Sequence, residues 1–116
     1  MGLDGSLVAC KAGEAQIEIV SWRKCFVLHN WLVTHLIEQA DPLIVDEHDC
    51  GDYPIYRLSE NDMNILQTFV RNKRFIEDYS YYDDPEAAVR RDIIYIKIAQ
   101  YLYREEGYEI RYYSSM

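Results

Sequence analysis

Residues 21–31 read Ser-Trp-Arg-Lys-Cys-Phe-Val-Leu-His-Asn-Trp, and the fold prediction depends on a change of pattern inside this stretch. Residues 16–23 alternate apolar and polar side chains, as a strand with one buried face does. From residue 24 to about residue 39 the apolar side chains recur at helical spacing instead. A helix that begins directly after a strand leaves backbone N–H groups free at its N-terminus, and ligands often bind there. The stretch is therefore the first candidate for a binding site.

The rest of the predicted sheet lies on both sides of this stretch. Residues 7–12 can pair with residues 16–23 as a hairpin that turns at Gly13. Residues 53–58 can form a short strand, and residues 108–113 alternate as a closing strand. We therefore expect a small mixed or antiparallel sheet of about four strands. The order of those strands does not follow from the sequence.

Two more helices are predicted from their start and stop signals. Ser59 followed by Asp62 resembles a capping box, and the apolar residues after it have helical spacing. Asp84 and Pro85 are a strong start for a third helix, which Gly107 ends. The tyrosine-rich residues 75–84 between these two helices read as a loop. The chain is expected to be a single α+β domain, residues 1–116, with three helices packed on one face of the sheet.

The charge of the chain favours a protein partner over nucleic acid. Twenty acidic and twelve basic residues give a net charge of −8. The summed field repels nucleic acid and anionic lipid, and it attracts a basic protein surface. An acidic surface that serves solubility alone is the plainer interpretation.

A location in the cytoplasm is predicted from signals that the sequence lacks. It has neither a secretory signal pattern nor an apolar run approaching about eighteen residues. Cys10, Cys25 and Cys50 are odd in number and widely spaced, which indicates free thiols in a reducing compartment. The third predicted helix has more apolar surface than a small sheet can cover, so a homodimer is a further expectation.

The junction between strand and helix carries the residues of a candidate ligand site. Two adjacent cations beside free N–H groups can hold a phosphate or a carboxylate. The residues expected at this site are Asp4, Trp22, Arg23, Lys24, His29, Cys50 and Tyr53. An ion pair between the cations and the acidic residues 46–52 is the plainer interpretation.

Cysteine and histidine residues near the junction permit two further sites. Cys25, His29, His48 and Cys50 can be written as four zinc ligands, and Cys50 with His29 can be written as a nucleophile with its base. The usual spacing of zinc ligands is missing, and His29 falls among apolar positions. We therefore predict no metal, no cofactor and no catalytic residue.

Two acidic tracts, the second rich in tyrosine, are the candidates for a partner-binding surface. Carboxylates on a surface can take the place of phosphates in a basic groove, and tyrosine rings supply contact area at low entropic cost. The predicted contact residues are Asp46, Glu47, Asp49, Asp52, Glu77, Asp78, Tyr79, Tyr81, Tyr82, Asp83 and Asp84. The alternative is that both tracts are solvated loops without a partner.

Short motifs along the whole chain resemble a group of small bacteriophage and prophage proteins. These motifs are MGLD at 1–4, WRK at 22–24, HNW at 29–31, DCGDY at 49–53 and YEIRYYSS at 108–115. The resemblance implies a viral accessory protein that acts inside a bacterium, and it names no reaction. Phage proteins of this size commonly inhibit host enzymes or defence complexes.

The leading hypothesis is a non-enzymatic inhibitor of a host defence complex that handles nucleic acid, such as a CRISPR effector. Its acidic surface would bind a basic host protein or nucleoprotein, without direct contact to nucleic acid or membrane. The alternative is a module that binds a small ligand or nucleotide at the strand-helix junction. No Walker loop, dinucleotide fingerprint or serine elbow in the sequence indicates an enzyme.

Overall fold

A computed structural model describes residues 4–23, 25–36, 55–73, 75–80 and 82–115. The strands are β1 (Asp4–Cys10), β2 (Ile17–Arg23), β3 (Tyr56–Leu58) and β4 (Glu109–Ser115). The helices are α1 (Phe26–Leu36), α2 (Glu60–Arg71), α3 (Ile76–Tyr79) and α4 (Pro85–Glu105). The predicted α+β class is confirmed, whereas the described helices number four rather than three. Among them, none is long and apolar enough to cross a bilayer.

The four strands form one antiparallel sheet in the order β2-β1-β4-β3. The last strand of the chain therefore lies beside the first, and the short β3 is added at the far edge. β1 and β2 form the predicted hairpin. Their register shifts at one point, because Leu7 pairs with Val20 while Val8 pairs with Glu18. Ile19 is thus the extra residue of a β-bulge in the edge strand β2. A bulge twists an edge strand and so hinders it from pairing with a strand of another chain.

The helices cover one face of the sheet. On that face Leu7, Val20, Ile110 and Tyr112 belong to the same buried core as Leu32, Met63, Leu66 and Ile96 of the helices. The opposite face carries a row of charged side chains, in which Glu109 contacts the guanidinium of Arg57 at 2.6 Å and that of Arg111 at 2.7 Å. The division follows the alternation that the sequence shows in β2 and β4, because successive side chains of a strand point to opposite faces.

The predicted helix signals act as expected at three helix ends. Ser59 caps α2 through a complete capping box with Asp62. Asp84 Oδ1 accepts a hydrogen bond from the Ala87 N–H at 3.1 Å, and Pro85 follows at the first helical position of α4. Gly107, which follows the C-cap Glu106 of α4, has a φ of 74°, the left-handed conformation that glycine adopts at low cost where a helix ends. These predictions are confirmed because each depends on neighbouring residues alone.

The prediction of a loop over residues 75–84 is wrong in its first half, where α3 forms. α3 has four residues, and its N-cap Phe75 makes no side-chain capping bond. Phe75 and Tyr79 are both 1% exposed and lie four positions apart, so both side chains point into the core. Packing rather than local sequence therefore stabilises this helical turn.

Gly5 makes room for the ring of Tyr112 where β1 crosses the buried face. A Cβ atom at Gly5 would lie 2.5 Å from the Tyr112 hydroxyl oxygen and 2.9 Å from Cε1. Tyr112 is 2% exposed, and its hydroxyl shares a hydrogen bond of 2.8 Å with Nδ1 of His29. The ring therefore has little freedom to move away from an added methyl group.

We expect Gly5→Ala to lower the free energy of unfolding by about 1–3 kcal/mol, because the added methyl overpacks a filled site. Urea denaturation measures the loss, and Ser6→Ala on the opposite face of β1 is the control. The loss should be smaller in a Tyr112→Phe background, which removes the shortest contact. A cost for Gly5→Ala no larger than that for Ser6→Ala would contradict this interpretation.

Candidate functional site

Trp22, which the sequence places in the candidate ligand site, is a core residue. It is 1% exposed, and its indole Nε1 donates a hydrogen bond of 2.9 Å to Asp92 Oδ2. The Tyr79 hydroxyl donates to the same oxygen at 2.6 Å. Asp92 is 0% exposed and lies in α4. One buried carboxylate thus joins β2, α3 and α4, and the Trp22 ring is removed from any ligand.

The N-terminus of α1 already holds an anion from the chain itself. The N–H of Val27 donates to Asp78 Oδ1 at 3.1 Å, and the N–H of Leu28 donates to Oδ2 at 2.8 Å. α1 has no acidic residue in its first turn, so a carboxylate from α3 takes that place. Burial raises the pKa of Asp78 above its ordinary value, while the two hydrogen bonds act in the opposite direction. The anion site predicted at this helix end is therefore filled by Asp78.

The other residues of the candidate ligand site do not form one pocket among the described residues. Asp4 and Arg23 are exposed and face each other in the β1–β2 register. His29 is half-buried, and burial lowers its pKa. Its Nδ1 is engaged by Tyr112 rather than turned to a ligand. Lys24, Cys50 and Tyr53 lie outside the described residues.

Cys25 lacks the properties of a reactive thiol or a zinc ligand. It is 3% exposed, and its Sγ donates to the Arg23 carbonyl at 3.7 Å. Burial, aided by the negative charges of Asp78 and Asp92, raises the pKa of the thiol to about 12. Within the described ranges, no group of three or more His, Cys, Asp or Glu residues could hold a metal ion. His48 and Cys50, the other two hypothetical ligands, fall outside those ranges.

The predicted partner-binding residues separate into exposed and buried ones. Glu77, Asp83 and Asp84 are exposed, and Tyr82 is half-buried. Asp78 and Tyr79 are buried and hydrogen-bonded inside the fold, so including them in the surface is corrected. Asp78 and Tyr79 are buried because residues 76–79 form the helical turn α3 rather than the expected loop. Successive side chains of a helical turn point in different directions, so Glu77 stays exposed while the next two residues point inward. The remaining predicted residues, outside the described part of the chain, are Asp46, Glu47, Asp49, Asp52 and Tyr81.

We call Glu77, Asp83 and Asp84 the acidic corner. They lie at the end where α3 leads into α4. Ion pairs between described residues involve none of these three carboxylates. Beside them, the Arg91 guanidinium lies 5.4 Å from the centre of the Tyr82 ring. Asp78 and Tyr79, the two residues after Glu77, point inward and hold the corner to the core through their hydrogen bonds.

Sequence reasoning missed Asp92 and an open groove beside it. Asp92 falls on the same helical face as Val89 and Ile96, and an acid among apolar positions is the signal that indicates it. The groove has a volume of about 560 Å³ and lies between the edge of β2 and the start of α4. Its lining residues are Glu18, Ile19, Val20, Ser21, Tyr82, Arg91 and Tyr95.

Comparison of the chain with protein-family models, with curated proteins and with solved structures gives no match in any of the three. Support for a function therefore comes from the residues and geometry described above.

Asp78→Ala should lower the free energy of unfolding by about 1–3 kcal/mol, because it leaves the buried N–H of Leu28 and the partly buried N–H of Val27 without their acceptor. Asp78→Asn should cost less, since its amide oxygen can still accept one of the two hydrogen bonds. Chemical denaturation measures both, and Glu77→Ala, the exposed neighbour in α3, is the control. Equal stability of Asp78→Ala and Glu77→Ala would show that the cap contributes nothing.

The pH dependence of stability should include a contribution from His29. Its pKa is lowered in the folded protein, so folding favours the neutral ring. That contribution is fully present above the unfolded pKa of about 6.5 and is lost as the pH falls through that value. Between about pH 7 and about pH 5, wild type should therefore lose more stability than His29→Gln. Parallel stability curves for the two proteins would contradict the expectation.

Proposed function

We propose that the chain is a non-enzymatic inhibitor that binds a basic surface of a host protein through its acidic corner. The target that best fits this charge is a complex that handles nucleic acid, such as a CRISPR effector in the bacterial cytoplasm. The resemblance to small phage proteins supports the same role. The net charge of −8 supports it as well, because it steers the chain toward basic surfaces.

The observation that carries the proposal is the anchoring of the acidic corner. Asp78 and Tyr79 are bound inside the core by α1 and Asp92, so the backbone beside Glu77 is held in place. Asp84 is fixed again as the cap of α4. A surface whose backbone is held in place before binding loses less conformational entropy on association. The three exposed carboxylates supply charge and the half-buried Tyr82 ring supplies contact area to a basic groove.

The alternative, a module that binds a small ligand at the strand-helix junction, receives less support. The free N–H groups on which it depended are bound by Asp78, and the Trp22 indole is bound by Asp92. The thiol of Cys25, with a pKa of about 12, is a poor nucleophile near neutral pH. A screen for thermal stabilisation by nucleotides and inorganic phosphate tests this alternative directly.

Charge reversal at the acidic corner tests the proposal. Glu77→Lys with Asp83→Lys changes the net charge from −8 to −4, since each substitution adds two positive units to the chain. Glu14→Lys with Glu18→Lys makes the same change in the exposed β1–β2 hairpin and is the matched control. Both pairs leave the Asp84 cap intact, so the fold should be kept and can be checked by thermal denaturation.

The measurement is competition with labelled nucleic acid for a basic host complex captured on the immobilised wild-type chain. We expect the corner variant to compete at least about tenfold more weakly than wild type, a loss of about 1.4 kcal/mol. The hairpin variant should stay within a factor of about three of wild type. Equal competition by corner variant and wild type, or equal loss in both variants, would reject the acidic corner as the binding surface.

A further inference from the structure

Three sides of α4 are covered by contacts within the fold. Ile96 and Ala99 are 0% exposed on the side that joins the core. On the α2 side, Gln100 Nε2 donates to Asn64 Oδ1 at 2.5 Å. On the third side, the Arg91 guanidinium lies over the Tyr82 ring. The fourth side of the helix has no comparable cover among the described residues.

That fourth side carries a stripe of large apolar side chains, which we call the α4 stripe. It consists of Ile94, Ile98 and Tyr101, which are 57%, 43% and 55% exposed. Their spacing of four and then three residues is that of the contact seam of one helix packed on another. Single exposed apolar residues are common, but three in a seam on one helix indicate an interaction surface.

One flank of the stripe is basic. Arg90 and Lys97 are seven residues apart, so they occupy the same position in successive heptads beside the stripe. Both are exposed, and ion pairs between described residues include neither. Arg104, the next residue of this row, is paired with Glu60. Among the described residues, two cations thus lie without an ion-pair partner beside this exposed apolar stripe.

We propose that the α4 stripe binds an amphipathic helix of a partner protein, in which acidic residues flank the apolar seam. The apolar stripe supplies anchors at i, i+4 and i+7, which is the spacing by which helices are recognised. Arg90 and Lys97 select the charge of the partner, because a carboxylate beside each would be attracted and a cation repelled. The surface is separate from the acidic corner, so the proposal does not rest on the proposed function.

Charge disfavours two other occupants of the stripe. In an antiparallel pair of two copies centred on the stripe, Lys97 would face its counterpart and Arg90 would face Arg104 of the second copy. An anionic membrane is repelled by the net charge of −8. An acidic helix is attracted by the basic flank that it touches, and because it is narrow it meets less of the remaining acidic surface than an extended membrane does.

The test uses synthetic peptides of about three heptads with Leu at the a and d positions. One peptide carries Glu at the flanking e and g positions, and its companion carries Lys there. Binding of each labelled peptide to the full chain is measured by fluorescence anisotropy. We expect saturable, micromolar binding of the Glu peptide and much weaker binding of the Lys peptide.

Three double variants assign the binding to the stripe and its flank. Ile94→Gln with Ile98→Gln should weaken the Glu peptide at least about tenfold. Arg90→Glu with Lys97→Glu should weaken the Glu peptide and strengthen the Lys peptide, which a merely structural role would not do. The control is Ile17→Gln with Tyr103→Gln, at positions 40% and 38% exposed elsewhere, and it should bind as wild type does.

Several results would overturn the proposal. These are absence of saturable binding of the Glu peptide, equal binding by the stripe variant and the control, and no change of charge preference in the flank variant. Sedimentation that shows a dimer dispersed by the stripe substitutions would assign the surface to a second copy. Binding to phosphatidylserine vesicles in place of the peptide would assign it to a membrane. Because Glu77→Lys with Asp83→Lys should leave peptide binding unchanged, failure here is distinguishable from failure of the acidic corner.

Discussion

The structure depends on the Asp78 carboxylate, which caps the N-terminus of α1 from about fifty residues further along the chain. The β2–α1 junction supplies no acidic residue to the first turn of α1, so the buried N–H of Leu28 and the partly buried N–H of Val27 need an acceptor from elsewhere in the chain. Asp78 accepts from both. This single contact ties the middle of the chain to its first helix. It also explains why the four residues of α3 are held in a helical turn that is too short to be stable alone.

Asp92 extends the same constraint to the sheet. A buried carboxylate is costly unless donors surround it, and Asp92 has the Trp22 indole and the Tyr79 hydroxyl at 2.9 Å and 2.6 Å. Asp78 holds α3 to α1, and Asp92 holds α3 through the hydroxyl of Tyr79, the next residue. The two buried carboxylates therefore act on adjacent residues of α3. No buried side-chain nitrogen or oxygen in the described part of the chain lacks a hydrogen-bond partner. Such a fully satisfied polar network favours one arrangement of the elements over others.

The sequence revealed those parts of the fold that neighbouring residues decide. The capping box at Ser59, the start at Asp84 and the stop at Gly107 were predictable because each signal acts within a few residues. The position of β4 between β1 and β3 was not, since it depends on pairing across the whole chain. The hydrogen bonds of Asp78 at the candidate ligand site were not predictable for the same reason. A strand-helix junction does indicate an anion site, but no local pattern shows that the anion is Asp78.

The acidic corner before α4 and the basic flank on α4 have opposite charge. A few side-chain contacts leave the charges of both surfaces unpaired among the described residues. Glu86 lies four residues before Arg90, a spacing at which the two would attract along a helix. In the fold Glu86 contacts Lys73, just beyond the end of α2, at 3.2 Å instead. Lys97 has no acidic residue three or four positions away in either direction, so its own helix cannot neutralise it. The unpaired charge of Lys97 is therefore a property of the helix sequence itself, whereas that of Arg90 depends on the contact between Glu86 and Lys73. The acidic corner exists because Asp78 and Tyr79 turn inward and leave Glu77, Asp83 and Asp84 outside.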